Sequence, residues 1–263
     1  MSCLDIFSHN NPIIGVIHLL PLPGSPRFQG NMDELLEQAQ WEADVLSTAG
    51  VDGLIIENYN DEPFPLNEPE PEQLAVMASA ITLIRRHVTI PLGVNVHFNA
   101  WRAEVALAYA CNAQFTRIEV FVDTVITNAG IVQPCCVDVL RYRKAIGAER
   151  VALWADLHPK FSRNLLETSI QQSATGAKAS LADAVIVTGA ATGVETPLDD
   201  VAAVKDVIDL PVLVGSGAHP DNIKSILELA DGAIIGSALK EGGNVYNRVS
   251  PQASKALIRA ARE

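Results

Sequence analysis

The chain has 263 residues, 48% of them hydrophobic and 19% charged, enough apolar material for a large core and too much for disorder along its body. Acids outnumber bases 31 to 19, a net charge of −12, so the basic footprint that nucleic-acid binding requires is missing. No apolar run approaches the roughly 20 residues of a membrane span. The opening MSCLDIFSHN also lacks the basic-then-apolar order of a secretory signal, and a cytoplasmic protein is expected. Cys3, Cys111, Cys135 and Cys136 lack zinc spacing and read as reduced thiols in that compartment.

Residues 1–11 form a short N-terminal extension. Eight short β-rich apolar runs follow, at 13–18, 53–58, 92–97, 115–120, 151–156, 184–189, 212–215 and 232–236. Amphipathic stretches lie between them, such as 33–49, 71–86 and 100–110. Alternation of buried strands with helices is the pattern of parallel βαβ units. Eight units in a chain of this length predict a single-domain (β/α)8 barrel, the α/β fold whose parallel sheet closes on itself. Ala49 to Gly53 places glycine where a helix ends and a strand begins, and Pro12, Pro91 and Pro211 each stop a segment just before a strand.

A barrel of this kind carries its site at the carboxyl ends of the strands. There the first strand brings His18, the second Glu57 and Asn58, the third Asn95 and His97, the fourth Glu119 and the fifth Asp156, with His158 and Lys160 just beyond. Strand interiors are otherwise Ile, Val, Leu and Ala, and polar groups buried there without partners cost free energy, so the placement is informative. Asn95 and His97 are two apart and share a face, as Asp156 and His158 do if the strand stays extended. Trp154 alternates with Asp156 and is expected to fill the barrel beneath it. Asp156 and Glu57 are the candidate acid–base pair, His18 or His97 the group that polarises substrate, and Lys160 an amine nucleophile or a charge clamp. Asn58, Asn95, Glu119 and His158 are the candidate substrate contacts. His9, His87 and His219 read as surface, helix or helix-start histidines.

The seventh strand runs into Gly215-Ser216-Gly217 and the eighth into Gly236-Ser237, while the sixth ends in Thr188-Gly189 with Thr192-Gly193 beyond. Glycines let backbone N–H groups approach an anion, and the loops after the last two strands of a barrel commonly hold a substrate phosphate. A phosphate site at Thr188, Gly189, Gly215, Ser216, Gly217, Gly236 and Ser237 is expected. Two proline-stiffened loops, 20–27 and 59–71, follow the first two strands as a lid or a structural cap. No cofactor is expected. A divalent metal stays open, since His18, His97, Asp156, His158 and Glu57 are ligand types, but the first strand has a lone histidine and no His-x-His pair. The absence of a Gly-x-x-x-x-Gly-Lys-Ser/Thr loop argues against a nucleoside triphosphatase.

Several segments resemble the BtpA/SgcQ family: Gly15 to Pro26 (GVIHLLPLPGSP), Gly50 to Asn58 (GVDGLIIEN), Pro91 to Val96 (PLGVNV), Ala182 to Gly189 with Ala191-Thr192-Gly193, and Val214 to Gly217. The resemblance runs from about residue 4 to the end. It implies a ribulose-phosphate-binding type of barrel, in a family whose cyanobacterial members are linked to photosystem I biogenesis and whose bacterial members are encoded beside sugar-uptake and phosphosugar enzymes. Where members usually continue the third strand with an Arg-Asn-Asp-like segment, this chain has His97-Phe98-Asn99-Ala100. After the fifth strand members tend to show a Lys-His pair, and here stands His158-Pro159-Lys160-Phe161-Ser162. Two functions follow. One is an isomerase, epimerase or lyase acting on a small phosphorylated sugar or nucleoside-like metabolite. The other is a non-catalytic biogenesis or regulatory factor holding a partner protein or metabolite. A homo-oligomer stays open.

Overall fold

In chain order the elements are β1 (Ile13–His18), α1 (Met32–Ala49), β2 (Gly53–Glu57), α2 (Pro71–His87), β3 (Leu92–Asn95), α3 (Trp101–Ala110), β4 (Phe115–Ile118), β5 (Val125–Thr127), β6 (Gly130–Val132) and α4 (Cys136–Ala145). They continue as β7 (Ala152–Leu157), β8 (Ser162–Asn164), α5 (Ile170–Ala179), β9 (Ala184–Val187), α6 (Leu198–Lys205), β10 (Val212–Val214), α7 (Ile223–Leu229), β11 (Gly232–Ile235) and α8 (Pro251–Arg262). The computed structural model describes residues 2–66, 68–189 and 191–263. All eight expected strands form, and they close a parallel barrel in the order β1-β2-β3-β4-β7-β9-β10-β11.

Alternate residues of each strand divide two cores, as a two-residue period requires. Ile14, Val16, Ile55, Phe115, Trp154, Ile186, Leu213 and Ile234 fill the barrel, while Ile13, Ile17, Leu54, Val94 and Leu153 pack under the helices. Trp154 stacks on Phe115 at 3.9 Å between ring centroids. The space for that stack comes from Gly93, where a Cβ would stand 2.1 Å from the Phe115 ring. Phe7 of the N-terminal extension closes the opposite end of the barrel, its ring 6.0 Å from Phe115 and 6.2 Å from Trp154.

Several strands stop short of the expected ends because side chains replace the ladder. β3 ends at Asn95, where the Val96 N–H donates to Glu104 Oε1 at 2.9 Å and the His97 N–H to Asn58 Oδ1 at 2.8 Å. β4 ends at Ile118 and β9 at Val187. The sequence reading missed β5, β6 and β8, an antiparallel sheet in the order β6-β5-β8 beside the barrel mouth. Its strands have three residues each, too few for a periodicity to register. The two proline-stiffened loops are tied together by Asn60 Nδ2 donating to the Leu19 carbonyl and the Leu22 N–H donating to Asp61 Oδ1, both at 2.7 Å.

Candidate active site

The carboxyl ends of the strands open into a cavity of about 640 Å³. The inward positions of the strands supply its floor: His18 from β1, Glu57 from β2, Arg117 from β4 and Asp156 from β7. His97 and Glu119 enter just past β3 and β4, and Lys160 from the loop after β7. The β1–β2 register sets His18 directly beside Glu57. Arg27, Tyr59, Glu62 and Phe64 bring the two proline-stiffened loops over the mouth, and Thr127 to Ala129 bring the turn between β5 and β6. The Tyr59 ring lies 4.9 Å from His18 and Phe64 lies 4.8 Å from His97, centroid to centroid.

Each ionisable group on the floor is tuned by its neighbours. His97 donates from Nδ1 to Glu119 Oε1 at 2.7 Å, and its Nε2 lies 3.5 Å from Glu57 Oε2. Burial disfavours the imidazolium, but these two carboxylates outweigh it and raise the His97 pKa to about 9. Burial also opposes the Glu57 carboxylate, yet His97 and Arg117 hold its pKa down to about 2. His18 is pushed down to about 3, by burial and then by the Lys240 charge, so it is neutral at pH 7. Arg117 forms a two-pronged pair with Asp156, Nε to Oδ1 and Nη2 to Oδ2 at 2.9 Å each, and its Nη1 lies 3.5 Å from Glu57 Oε1. Burial nevertheless raises the Asp156 pKa above the ordinary carboxylate value against the pull of Arg117. Lys160 is lowered to about 8 by burial and by the Arg117 charge.

The opposite wall is built from glycine-rich loops. Gly215, Ser216 and Gly217 follow β10, Gly236 and Ser237 follow β11, and Thr192 and Gly193 join them from the loop after β9. Gly217 has φ +73°, and a Cβ there would meet Glu195 Cα at 2.2 Å, so only glycine fits the turn. Ser216 Oγ accepts from the Gly189 N–H at 2.8 Å and donates to the Val194 carbonyl at 3.0 Å, which pins the loops to one another. The loop after β11 is anchored by a buried ion pair, Lys240 Nζ to Glu42 Oε2 at 3.2 Å, with the Val249 N–H donating to Glu42 Oε1 at 3.1 Å.

His18, Glu57, His97, Asp156 and Lys160 therefore all face one cavity, as do Glu119, Gly215, Ser216, Gly217, Gly236 and Ser237. Five other expected site residues need correction or a new place. His158 leaves the strand with φ +50°, and its ring meets Ser173 Oγ on α5 at 3.1 Å, outside the cavity. Asn58 donates to Asp61 Oδ2 and accepts from the His97 N–H, so it positions loops. Asn95 is fully buried and links Glu104 Oε1, Glu119 Oε1 and the Arg117 carbonyl through one amide nitrogen. Thr188 and Gly189 lie behind the wall that Ser216 forms, while His219 lines the cavity and bonds Glu195 Oε1 at 2.9 Å. Sequence reasoning missed Arg117, although it stands two residues before Glu119 in Phe-Thr-Arg-Ile-Glu and shares its face. Of the five ligand types that left a metal open, His18 and His97 each approach Glu57 Oε2, at 3.6 and 3.5 Å, while Asp156 is paired with Arg117 and His158 faces Ser173. Among the described residues no group of three or more His, Cys, Asp or Glu side chains is arranged to hold a metal ion.

The family model described as the BtpA family matches residues 9–263. The chain belongs to the BtpA family. Among its BtpA relatives, the photosystem I biogenesis protein BtpA of Synechocystis is 36% identical over 265 residues, covering 100% of this chain and 92% of that protein. An uncharacterized protein of Pyrococcus furiosus is 35% identical over 257 residues, covering 97% and 96% of the two chains. Among solved structures, N-(5'-phosphoribosyl)anthranilate isomerase from P. furiosus superposes with a TM-score of 0.58 at 13% identity, covering 97% of this BtpA-family chain and 99% of the isomerase. At that identity the likeness speaks for the barrel alone. No helix among the described residues is long and apolar enough to cross a membrane.

Proposed function

We propose that this protein is an enzyme that moves protons on a small phosphorylated sugar or nucleoside-like metabolite, in the manner of an isomerase, epimerase or lyase. One observation carries the reading: a single cavity has an acid–base floor on one side and glycine-rich loops of the last barrel strands on the other. Those loops take the phosphate through backbone N–H groups, which suits a chain of net charge −12 that has few cations to spare. The phosphosugar isomerase with the same fold supports the reading as an analogy.

Within it the roles separate by charge state. His97 carries a proton at neutral pH and donates to the oxygen on which negative charge develops. Asp156, the carboxylate whose proton affinity is raised, abstracts the proton beside the carbonyl. Glu57 is too acidic to be a good base and holds His97 and Arg117 in place. Incubating the protein in D2O with ribulose 5-phosphate, ribose 5-phosphate and dihydroxyacetone phosphate, and following deuterium entry beside the carbonyl by NMR, tests this. Exchange that vanishes in Asp156→Asn supports the reading, and no exchange in any of them counts against proton-transfer chemistry.

A second reading, a non-catalytic biogenesis factor, is favoured by the 36% identity to the Synechocystis protein. It requires that Asp156→Asn, folded and expressed, fully complement a deletion of the gene.

A further inference from the structure

Resting on the phosphosugar reading, we propose that Lys160 is a covalent catalyst that forms an imine with the carbonyl carbon of a phosphorylated ketose. The roles given to His97, Asp156 and Glu57 leave Lys160 without one. The surroundings of Lys160 are those of a nucleophile.

Among the described residues its ammonium nitrogen has one hydrogen-bond partner, the Gly215 carbonyl oxygen at 3.1 Å, and no carboxylate within ion-pair distance. Asp156, the carboxylate that would otherwise quench it, is paired with both prongs of Arg117, one hydrogen bond to each oxygen. Arg117 itself approaches the same glycine, its Nη2 lying 3.4 Å from where a Gly215 Cβ would stand. Two cations thus flank one residue, while only one of them has its counter-ion. An amine crowded by a second cation and largely withdrawn from water loses its proton readily, which is how lysine nucleophiles are made. Its pKa of about 8 leaves an appreciable neutral fraction at physiological pH.

The position also fits the substrate. Gly215 is continuous with Ser216 and Gly217, the wall assigned to the phosphate, so the amine lies one residue from the cradle. A short phosphorylated carbonyl compound held there brings its carbonyl carbon to Lys160. In the step, the neutral amine attacks that carbon and forms a C–N bond. The oxygen becomes a hydroxyl and leaves as water with a proton from the His97 imidazolium, giving a protonated imine. Its positive nitrogen is the electron sink for proton removal by Asp156 at the neighbouring carbon.

Borohydride trapping tests this directly. The full-length protein is incubated separately with dihydroxyacetone phosphate, ribulose 5-phosphate, fructose 6-phosphate and pyruvate, reduced with sodium borohydride and analysed by intact mass and peptide mapping. Binding of each compound is measured in parallel by calorimetry on wild type and on Lys160→Arg, which keeps the charge but cannot form an imine. The expected result is a mass gain equal to the ligand less one oxygen, mapped to Lys160, with a phosphorylated ketose and not with pyruvate. Lys160→Arg should bind and give no adduct. A phosphosugar that binds yet leaves no adduct at Lys160 overturns the imine while the phosphosugar reading stands. An adduct at equal level in Lys160→Arg overturns it too. Failure of every phosphosugar to bind overturns both.

Discussion

Removing Arg117 should show how tightly the site floor is bound to the stability of the barrel. Arg117 and Asp156 are 6% and 4% exposed, joined by two hydrogen bonds of 2.9 Å, and Glu57 Oε1 adds a contact at 3.5 Å. Arg117→Met nearly preserves volume but leaves two carboxylates in the barrel with no guanidinium. Breaking a buried pair by deleting one partner costs about 3–5 kcal/mol, much of it the desolvation of the charge left behind. The double variant Arg117→Met/Asp156→Leu should recover most of that loss, because Asp156 carries both hydrogen bonds. Urea unfolding followed by tryptophan fluorescence, to which Trp154, the register partner of Arg117, contributes, measures all three proteins. The penalty has a pH signature. Without its cation, Asp156 has a folded pKa further above the unfolded value of 3.8, so the cost is present at neutral pH and fades as the pH falls and the carboxyl is protonated. A single-variant cost under about 1 kcal/mol, or a double variant no more stable than the single, would refute the account of a charge-balanced floor.

Other outcomes follow from the same geometry. His97 has a folded pKa of about 9 against 6.5, so it contributes stability below pH 6.5 that is lost as the pH rises towards 9, about 3 kcal/mol in all. Unfolding curves of His97→Gln should lack that alkaline arm, and an unchanged arm would place its origin elsewhere. On the acid side His18, depressed to about 3, favours the folded state above pH 6.5 and costs progressively more as the pH falls towards 3. Gly93→Ala should destabilise by about 1–3 kcal/mol or more in chemical denaturation, since the new methyl lands on the Phe115 ring. If it is neutral, the interior stack is looser than described. Asp156→Asn should lower turnover by roughly 10²- to 10⁴-fold with ligand binding retained, and loss of binding without loss of turnover per bound ligand would remove it as the base.

Strand positions were legible because most of the eight runs are largely apolar and several are bounded by Gly or Pro, a signal that survives without partners. The site floor was legible for a related reason: Glu57 and Asp156 interrupt otherwise apolar runs. Arg117 interrupts one equally, but a single arginine between Thr116 and Ile118 reads as a surface residue until its partner across the β4–β7 ladder is known. His158 was misplaced because its positive φ breaks the alternation that the assignment assumed. Thr188 and Gly189 have the right chemistry in the right strand, yet the Ser216 hydroxyl takes the Gly189 N–H and makes it a support for the cradle. Such tertiary capture of a backbone donor leaves no mark on sequence spacing. The three-residue strands β5, β6 and β8 are held by pairing with each other, a long-range property, with Val125 opposite both Val132 and Asn164.

The most direct test of a phosphate cradle opposite an acid–base floor is a thermal-unfolding titration with phosphosugars, run on wild type and on Ser237→Asp. A ligand at about 100 times its dissociation constant adds roughly 2.7 kcal/mol to the folded state, a shift well above noise. A carboxylate at position 237 sets a negative charge among the cradle's donors and should abolish the shift while leaving the unliganded protein folded. A selective shift from one phosphosugar, lost in Ser237→Asp, is the predicted result. A shift that persists in Ser237→Asp, or none from any phosphorylated compound, would contradict the account.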